Sequence, residues 1–319
     1  MREIGGYFEL LPGQGEPYYS PETAVAVNSG RNALRYILRC LHISHLYMPY
    51  FTCPVMWDAV RDEGCSITFY HLNDDMFPQE KIPVQSYLLY TNYFGLCGTQ
   101  IKKLQRQYPN LIVDNAQAFY SPPQGIGSCY SLRKFFGVSD GGYAVFSGPK
   151  IALSEQDRSS ARFSHLLKRA ETGANDAYAD FLKNDASLDH LPVQRMSVIT
   201  DRLSRSLDYA AAAQKRIENF KTLDSLFRNT DLIFPVFPLE DNIPMYYPIY
   251  CTKAGLREHL VERKIYIPRC WNNSKKYYGA SEKLEENLTD HIYPLIIDQR
   301  YNQKDMHKQA EAIYEYISS

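Results

Sequence analysis

The sequence has almost no net charge, since 35 Lys and Arg residues stand against 36 Asp and Glu residues, for a formal charge of −1 at pH 7. Without an excess of basic residues the chain has no electrostatic footprint for nucleic acid or for an anionic membrane. No apolar run approaches the roughly 18 residues of a membrane-spanning helix, and the opening Met-Arg-Glu-Ile-Gly-Gly is not typical of a signal peptide. We therefore expect a cytoplasmic protein without nucleic-acid or membrane partners.

Paired cysteines are also lacking. The seven cysteines are odd in number, scattered, and include no Cys-x-x-Cys pair. This pattern indicates reduced thiols and does not favour zinc, so we expect no metal site. The length of 319 residues allows a large core and two domains.

Short apolar strands alternate with helical segments from about residue 25 to residue 146. Such alternation favours an α/β fold with a mainly parallel sheet covered by helices. We predict the strands at 25–27, 46–48, 66–70, 87–90, 111–113 and 143–146, and helices at 32–40 and 100–107.

The second half of the chain changes character. It becomes polar and helical from about 154, with a long helix predicted at 202–226. The end of the chain returns to mixed α/β, with strands predicted at 246–250, 265–267 and 293–297 and helices at 253–263 and 303–317. We therefore predict a large domain over residues 1–230, with its helical segment at about 154–226, and a smaller C-terminal α/β domain over residues 231–319.

Chemistry-bearing residues occur between residues 111 and 142. An apolar strand leads directly into Asp114, which places this carboxylate at the carboxyl end of a buried strand, where open α/β sheets bind ligands. Further on, Ser131 precedes Lys134 by three residues, and Gly141-Gly142 follows. Pyridoxal phosphate (PLP) requires an amine to react with its aldehyde and a carboxylate to keep its ring nitrogen protonated. Lys134 and Asp114 can supply these groups, and the Ser131 hydroxyl can bond the phosphate.

Each element alone also has an ordinary structural explanation. Ser-x-x-Lys pairs are common on solvated helix faces, and an Asp after an apolar run is often a turn or helix cap. The combination in the order Asp-x-x-Gln, Ser-x-x-Lys and Gly-Gly is much more specific.

A second segment has the form of a phosphate-binding turn. Residues 25–27 form a short predicted strand, Ser29-Gly30 a tight turn, and residues 32–40 a helix with one apolar face. A turn followed by a helix start presents free N–H groups and a positive dipole end to a phosphate. The alternative is a plain strand-to-helix turn.

The chain resembles the fold-type-I PLP enzymes, and within them the DegT/DnrJ/StrS sugar aminotransferases. The resemblance extends over nearly the whole chain and is carried by these segments: 28–34 (NSGRNAL), 49–52 (PYFT), 92–95 (NYFG), 114–117 (DNAQ), 195–197 (RMS) and 297–302 (IDQRYN). It implies a PLP transferase-like large domain and a homodimer whose active sites are shared between subunits.

The resemblance also implies roles for single residues. Ser29, Gly30 and Arg31 fall in the phosphate turn, and Arg195 would reach the phosphate of the partner subunit's cofactor. The alternative for Arg195 is a surface arginine in a weak salt bridge. Gln117 would contact the cofactor ring or its phenolic oxygen, or else be an amide bonded within a loop.

Two positions depart from the family pattern. Arg31 stands where Thr is usual, so that a guanidinium replaces a hydroxyl near the phosphate. Cys53 stands where an aromatic residue often stacks on the ring, so that stacking would fall to Phe51 or Phe94, or be weaker. Tyr7 is a candidate for the substrate entrance.

The function implied is a PLP-dependent aminotransferase that moves an amino group from a glutamate-like amino acid to a keto-sugar nucleotide, in surface polysaccharide or sugar biosynthesis. Two alternatives stay open: a PLP-dependent sugar dehydratase or lyase, and a non-catalytic relative of the same fold. The presence of Lys134 argues against the sugar deoxygenase branch, in which a histidine replaces the lysine. Arg31 and Cys53 keep the non-catalytic alternative open.

Overall fold

The computed structural model describes residues 9–10, 13, 15–233, 239, 242–272 and 284–318. Tyr7, the candidate for the substrate entrance, lies outside these residues.

A seven-stranded sheet is the centre of the fold. Its strands, in chain order, are β1 (Ala24–Val27), β2 (His45–Pro49), β3 (Ser66–Tyr70), β4 (Leu88–Thr91), β5 (Leu111–Asn115), β6 (Gly127–Ser131) and β7 (Gly142–Phe146). Their spatial order is β1-β7-β6-β5-β4-β2-β3. Strands β3, β2, β4, β5 and β6 run parallel, whereas β7 is antiparallel to both of its neighbours, β6 and β1. The predicted class, an α/β fold with a mainly parallel sheet, is confirmed.

Helices join and cover these strands. The first three are α1 (Gly30–Cys40), α2 (Pro54–Asp62) and α3 (Gly98–Gln107). The helical segment that follows β7 contains α4 (Ser164–Glu171), α5 (Ala174–Ser187), α6 (Val198–Ser204) and α7 (Tyr209–Phe227). None of the helices in the described ranges is long and apolar enough to cross a membrane.

The C-terminal part contains a two-stranded antiparallel sheet. Its elements are β8 (Tyr246–Tyr250), α8 (Leu256–Glu262), α9 (Leu284–His291), β9 (Ile292–Ile296) and α10 (Gln303–Ser318). One continuous apolar cluster contains side chains of both sheets, for example Leu88 and Val113 together with Ile249 and Leu295. The boundary at residue 230 remains a prediction, because the two parts share this core.

Strands β4, β5, β6 and β7 are buried at every residue. Both faces of a parallel sheet are covered, so the central strands cannot alternate between core and solvent. Strand β6 was not predicted, because its sequence Gly-Ser-Cys-Tyr-Ser lacks an apolar run. Backbone pairing with β5 on one side and β7 on the other holds these residues in a strand.

The structure corrects two further predictions. The predicted helix 202–226 is divided into α6 and α7, because Asp208 caps α7 by accepting a hydrogen bond from the Ala211 N–H at 2.9 Å. The predicted strand 265–267 is wrong, since these residues follow α8 without pairing to any strand in the described ranges. The Ile265 N–H instead bonds the Leu260 carbonyl at 2.8 Å and closes the end of α8.

Candidate active site

The carboxyl ends of the central parallel strands form one edge of the large sheet. There Thr91 of β4 pairs with Asp114 of β5, and Asp114 pairs with Cys129 of β6. A cleft lies at this edge, and its empty space together with the open solvent at its mouth is about 530 Å³. It brings together seven of the nine residues predicted for the site, namely Ser29, Gly30, Arg31, Asp114, Gln117, Ser131 and Lys134.

One end of the cleft is the beginning of α1. Ser29 is the N-cap of this helix, and its hydroxyl accepts a hydrogen bond from the Asn32 N–H at 3.2 Å. The Gly30 and Arg31 N–H groups bond no acceptor within the described residues. Two free N–H groups at the positive end of a helix dipole make this corner suitable for a phosphate.

Two close approaches explain the glycines around this corner. A Cβ on Gly30 would lie 3.1 Å from the Ser131 Cβ, so the absence of a side chain lets β6 come close to the start of α1. A Cβ on Gly142 would lie 2.5 Å from the Ser29 carbonyl carbon and 2.7 Å from the Gly30 nitrogen. A side chain at position 142 would therefore overlap the backbone at the start of α1, and one at position 30 would require β6 to move by a few tenths of an ångström.

Asp140 directly precedes Gly141-Gly142 in the chain, is fully buried, and has a structural role. It accepts hydrogen bonds from the Ser197 N–H at 3.1 Å and the Ser197 hydroxyl at 3.0 Å, and from the Thr200 hydroxyl. Burial raises the pKa of Asp140, while these hydrogen bonds and Arg162 oppose the rise. The Arg-Met-Ser segment thus fixes the glycine turn through Ser197.

Asp114 lies at the centre of the cleft with 3% of its surface exposed. Its Oδ1 accepts a hydrogen bond from the Ala116 N–H at 2.9 Å and contacts the Cys129 thiol at 3.7 Å. Within the described part of the chain, Oδ2 has no hydrogen-bond partner. Burial raises the pKa of Asp114, and the positive charge of Lys134 opposes this rise. One carboxylate oxygen therefore remains for a cationic partner in the cleft.

Lys134 follows β6 in a turn, and its side chain is exposed toward the cleft. No described residue forms a hydrogen bond or an ion pair with its ammonium group. Its charge nevertheless lowers the pKa values of Asp114, Cys53 and Cys270 against the larger effect of burial. The amine therefore lines the same cleft as the buried carboxylate and is not engaged by another side chain of the described residues.

The turn that carries Lys134 is held from the far end of the chain. Gln299 Nε2 donates to the Phe135 carbonyl at 2.7 Å. Arg216, which is 2% exposed, bonds Gln299 Oε1 at 3.1 Å and lies 4.5 Å from the centre of the Phe135 ring. A cation above an aromatic face and a half-buried chain of two hydrogen bonds fix the residue next to the lysine.

Gln117 combines the two roles considered for it. Its Oε1 accepts a hydrogen bond from the Phe94 N–H at 2.9 Å, which is the role of a bonded loop amide, and its side chain also lines the cleft. Arg31 lines the cleft as well, but its guanidinium is paired with Asp189.

Phe51 and Phe94, expected to stack on a cofactor ring, do not line the cleft within the described residues. Both are fully buried in the core. Phe51 stacks on Tyr93 at 5.6 Å, and the Tyr93 hydroxyl donates to its carbonyl at 2.7 Å. That Phe51 or Phe94 stacks on a cofactor ring stays a prediction, and Cys53 is the residue that follows Thr52 in the described lining of the cleft.

Arg195 is exposed and lies outside the described lining of this cleft. Its backbone N–H bonds the Glu155 carbonyl at 3.0 Å, and its guanidinium approaches the Ser154 carbonyl at 3.4 Å. Its role at the site of a partner subunit stays a prediction.

Several lining residues were not predicted from the sequence: Cys53, Val55, Met56, Thr91, Ala116, Arg133, Leu188 and Trp271. Thr91 could have been predicted from the sequence, because it ends a buried strand beside Asp114. Leu188 and Trp271 could not, because they come from distant parts of the chain.

No family model matches the chain, and no curated protein matches it. Solved structures do. Helicobacter pylori PseC, an aminotransferase involved in the biosynthesis of pseudoaminic acid, is 14% identical with a TM-score of 0.65, over 92% of this chain and 86% of that one. The putative sugar aminotransferase Spr1654 from Streptococcus pneumoniae, in its PLP form, is 14% identical with a TM-score of 0.63, over 92% and 86%.

A DegT DnrJ EryC1 StrS aminotransferase from Brucella abortus is 16% identical with a TM-score of 0.62, over 92% of this chain and 85% of that one. At such identities the likeness shows a shared fold. It agrees with the family that the sequence motifs resemble.

The residues of the cleft fit PLP. A phosphate suits the free N–H groups of α1 and the Ser131 hydroxyl, and a protonated ring nitrogen suits the free oxygen of Asp114. The Lys134 amine suits an aldehyde. No group of His, Cys, Asp and Glu side chains in the described residues is arranged to hold a metal ion.

Proposed function

We propose that this protein is a PLP-dependent aminotransferase that transfers an amino group from an amino acid to a keto-sugar nucleotide. The observation that supports it most is one cleft in which the unengaged Lys134 amine lies near the buried Asp114 carboxylate and the start of α1. The shared fold with solved sugar aminotransferases supports the reaction class.

Each residue has a stated task in this proposal. PLP, when bound, supplies an electron-withdrawing ring that makes the hydrogen on the amine-bearing carbon acidic. Asp114 holds a proton on the ring nitrogen, and the α1 N–H groups with Ser131 hold the phosphate. Lys134 Nζ takes the proton from the amine-bearing carbon of the donor and returns one to the acceptor carbon. Val55, Met56 and Leu188 contribute apolar side chains to the lining of the cleft.

The keto-sugar nucleotide, the glutamate-like donor and a place in surface polysaccharide or sugar biosynthesis follow from the family resemblance. A cytoplasmic location is part of the proposal, supported by seven cysteines that are all free thiols. A panel of keto-sugar nucleotides, scored by glutamate consumption, would identify the acceptor. The non-catalytic alternative would require Asp114, Ser131 and Lys134 to line one cleft without a function.

The direct test is chemical trapping of the cofactor on Lys134. We expect protein saturated with PLP to be yellow, and borohydride to bleach it by converting the lysine–cofactor linkage to a stable secondary amine. Peptide mapping should find the adduct on Lys134. An adduct on another lysine would reject this assignment, and a protein that takes up no PLP would favour the non-catalytic alternative.

We also propose a homodimer in which Arg195 of one subunit lies near the cofactor phosphate of the other. Arg195 is exposed, and α4 and α5 carry exposed apolar side chains suited to an interface, including Leu167, Tyr178 and Leu182. The family resemblance supplies the rest of this proposal.

Subunit mixing tests the shared site. Mixing an inactive Lys134→Ala chain with an inactive Arg195→Ala chain should restore part of the activity, because one of the two sites in each hybrid dimer has both residues intact. Both variants must first be shown to fold and to exchange subunits. No recovery after proven exchange, or a fully active monomer at micromolar concentration, would leave Arg195 as a structural residue.

A further inference from the structure

The described lining of the cleft contains a single aromatic side chain, that of Trp271. The other lining residues are polar, charged or aliphatic, and position 53 offers only a thiol. A flat heteroaromatic ring held between Asp114 and Lys134 gains most from contact with another flat apolar surface, beyond what aliphatic groups provide. Trp271 is placed to offer that surface.

Trp271 is held in place by the core. Its ring meets Phe51 at 4.8 Å in an edge-on arrangement of 72°, and lies 6.0 Å from the ring of Tyr93. Both of these neighbours are fully buried. Phe51 and Tyr93 therefore contribute to the cleft indirectly, by packing against Trp271.

The backbone of Trp271 also has an unusual conformation. Trp271 has a φ of 62°, in the left-handed region that a bulky side chain rarely adopts. Such a conformation costs free energy and persists where the surroundings impose it, often at ligand sites. The preceding Cys270 is buried. Trp271 therefore lines the cleft directly after a residue that is fixed in the interior.

We propose that Trp271, from the C-terminal part of the chain, stacks on the cofactor ring and replaces the aromatic contact that Cys53 does not provide. This inference rests on the proposed function, since it requires that PLP binds in the cleft. It gives the C-terminal part a direct role in holding the cofactor.

Equilibrium dialysis of PLP against the cofactor-free full chain tests the stacking. We expect Trp271→Leu, which keeps apolar volume but removes the ring, to weaken PLP binding about tenfold, and Trp271→Phe to stay within about threefold of the original chain. The matched control is Tyr266→Leu, because Tyr266 is an aromatic residue of the same segment, is 41% exposed and lies outside the cleft lining. It should bind PLP normally.

Competition by inorganic phosphate distinguishes a loss of ring stacking from a general loss of binding in the cleft. Its ability to compete with PLP reports the α1 corner alone, so its affinity should be the same in Trp271→Leu and in the original chain. Unchanged PLP affinity in Trp271→Leu, or an equal loss of phosphate and PLP affinity, would overturn the proposal. Failure of the original chain to bind PLP would instead reject the proposed function itself.

A second measurement does not depend on any variant. The chain has two tryptophans, and Trp57 is 1% exposed, so acrylamide quenching of tryptophan fluorescence reports mainly on half-buried Trp271. PLP stacked on the indole should reduce the quenching constant at least twofold. An unchanged constant at saturating PLP would exclude contact between the ring and Trp271.

Discussion

Replacing Lys134 by alanine should reduce transamination about a thousandfold or more while leaving the fold intact. Proton transfer by a positioned side chain contributes roughly 10²–10⁴-fold, and the variant also loses the covalent attachment of the cofactor. The fold should survive, because the side chain is exposed and its ammonium group forms no hydrogen bond or ion pair with a described residue. Initial rates with a saturating donor and acceptor, together with the thermal midpoint, measure both effects.

Lys102→Ala is the matched control for this variant. Lys102 is also a solvent-exposed lysine, it lies on α3, and it is absent from the cleft lining. Its removal should leave the rate unchanged, because a surface substitution away from the site usually changes the free energy of unfolding by less than about 0.5 kcal/mol. Small primary amines added to Lys134→Ala should restore part of the rate by taking over the proton transfer. Turnover within tenfold of the original chain in folded Lys134→Ala would show that another residue moves the proton.

The part of the site that the sequence could predict is local in the chain. Asp114 follows an apolar strand, and Ser131 and Lys134 lie within one short segment, so spacing and strand polarity suffice to group them. The turn at Ser29 and Gly30 has the same character, since a strand, a glycine and a helix start occur in sequence. The structure places all of these residues around one cleft.

What the sequence could not predict depends on contacts between distant segments. Strand β6 has a small, polar sequence and forms a strand only because β5 and β7 flank it. Phe51 looked like a stacking residue by its position after a strand, yet it packs into the core. Trp271 reaches the cleft through its contact with Phe51, about 220 positions earlier in the chain, which no local pattern encodes.

Replacing Asp114 by asparagine should separate function from stability. The fold should be kept, since an amide oxygen can still accept the Ala116 N–H bond at 2.9 Å. Activity should fall at least tenfold, because a neutral amide cannot keep the ring nitrogen protonated and a charge-assisted hydrogen bond of about 1.5–3 kcal/mol is lost.

Although Asp114→Asn should lower the activity, it should not lower the stability of the cofactor-free protein. Burial raises the pKa of Asp114 above its value in the unfolded chain. The folded state therefore binds this proton more tightly than the unfolded state, and stability is lost as the pH rises through the folded pKa. Above the folded pKa of Asp114 the original chain carries the cost of a buried charge, and asparagine removes it. Cofactor-free Asp114→Asn should thus unfold at the same temperature as the original chain or at a higher one.

PLP binding should make the original chain more stable than Asp114→Asn. A protonated ring nitrogen compensates the Asp114 charge only in the original chain, so PLP should raise its thermal midpoint more than that of Asp114→Asn. Below the unfolded pKa of the carboxyl group the stability difference between the two cofactor-free chains should disappear, because both side chains are then neutral. Scanning calorimetry with and without PLP, at acidic and neutral pH, measures all three effects. Near-normal turnover together with an equal PLP-induced rise in the folded variant would show that Asp114 serves only to hold the turn after β5.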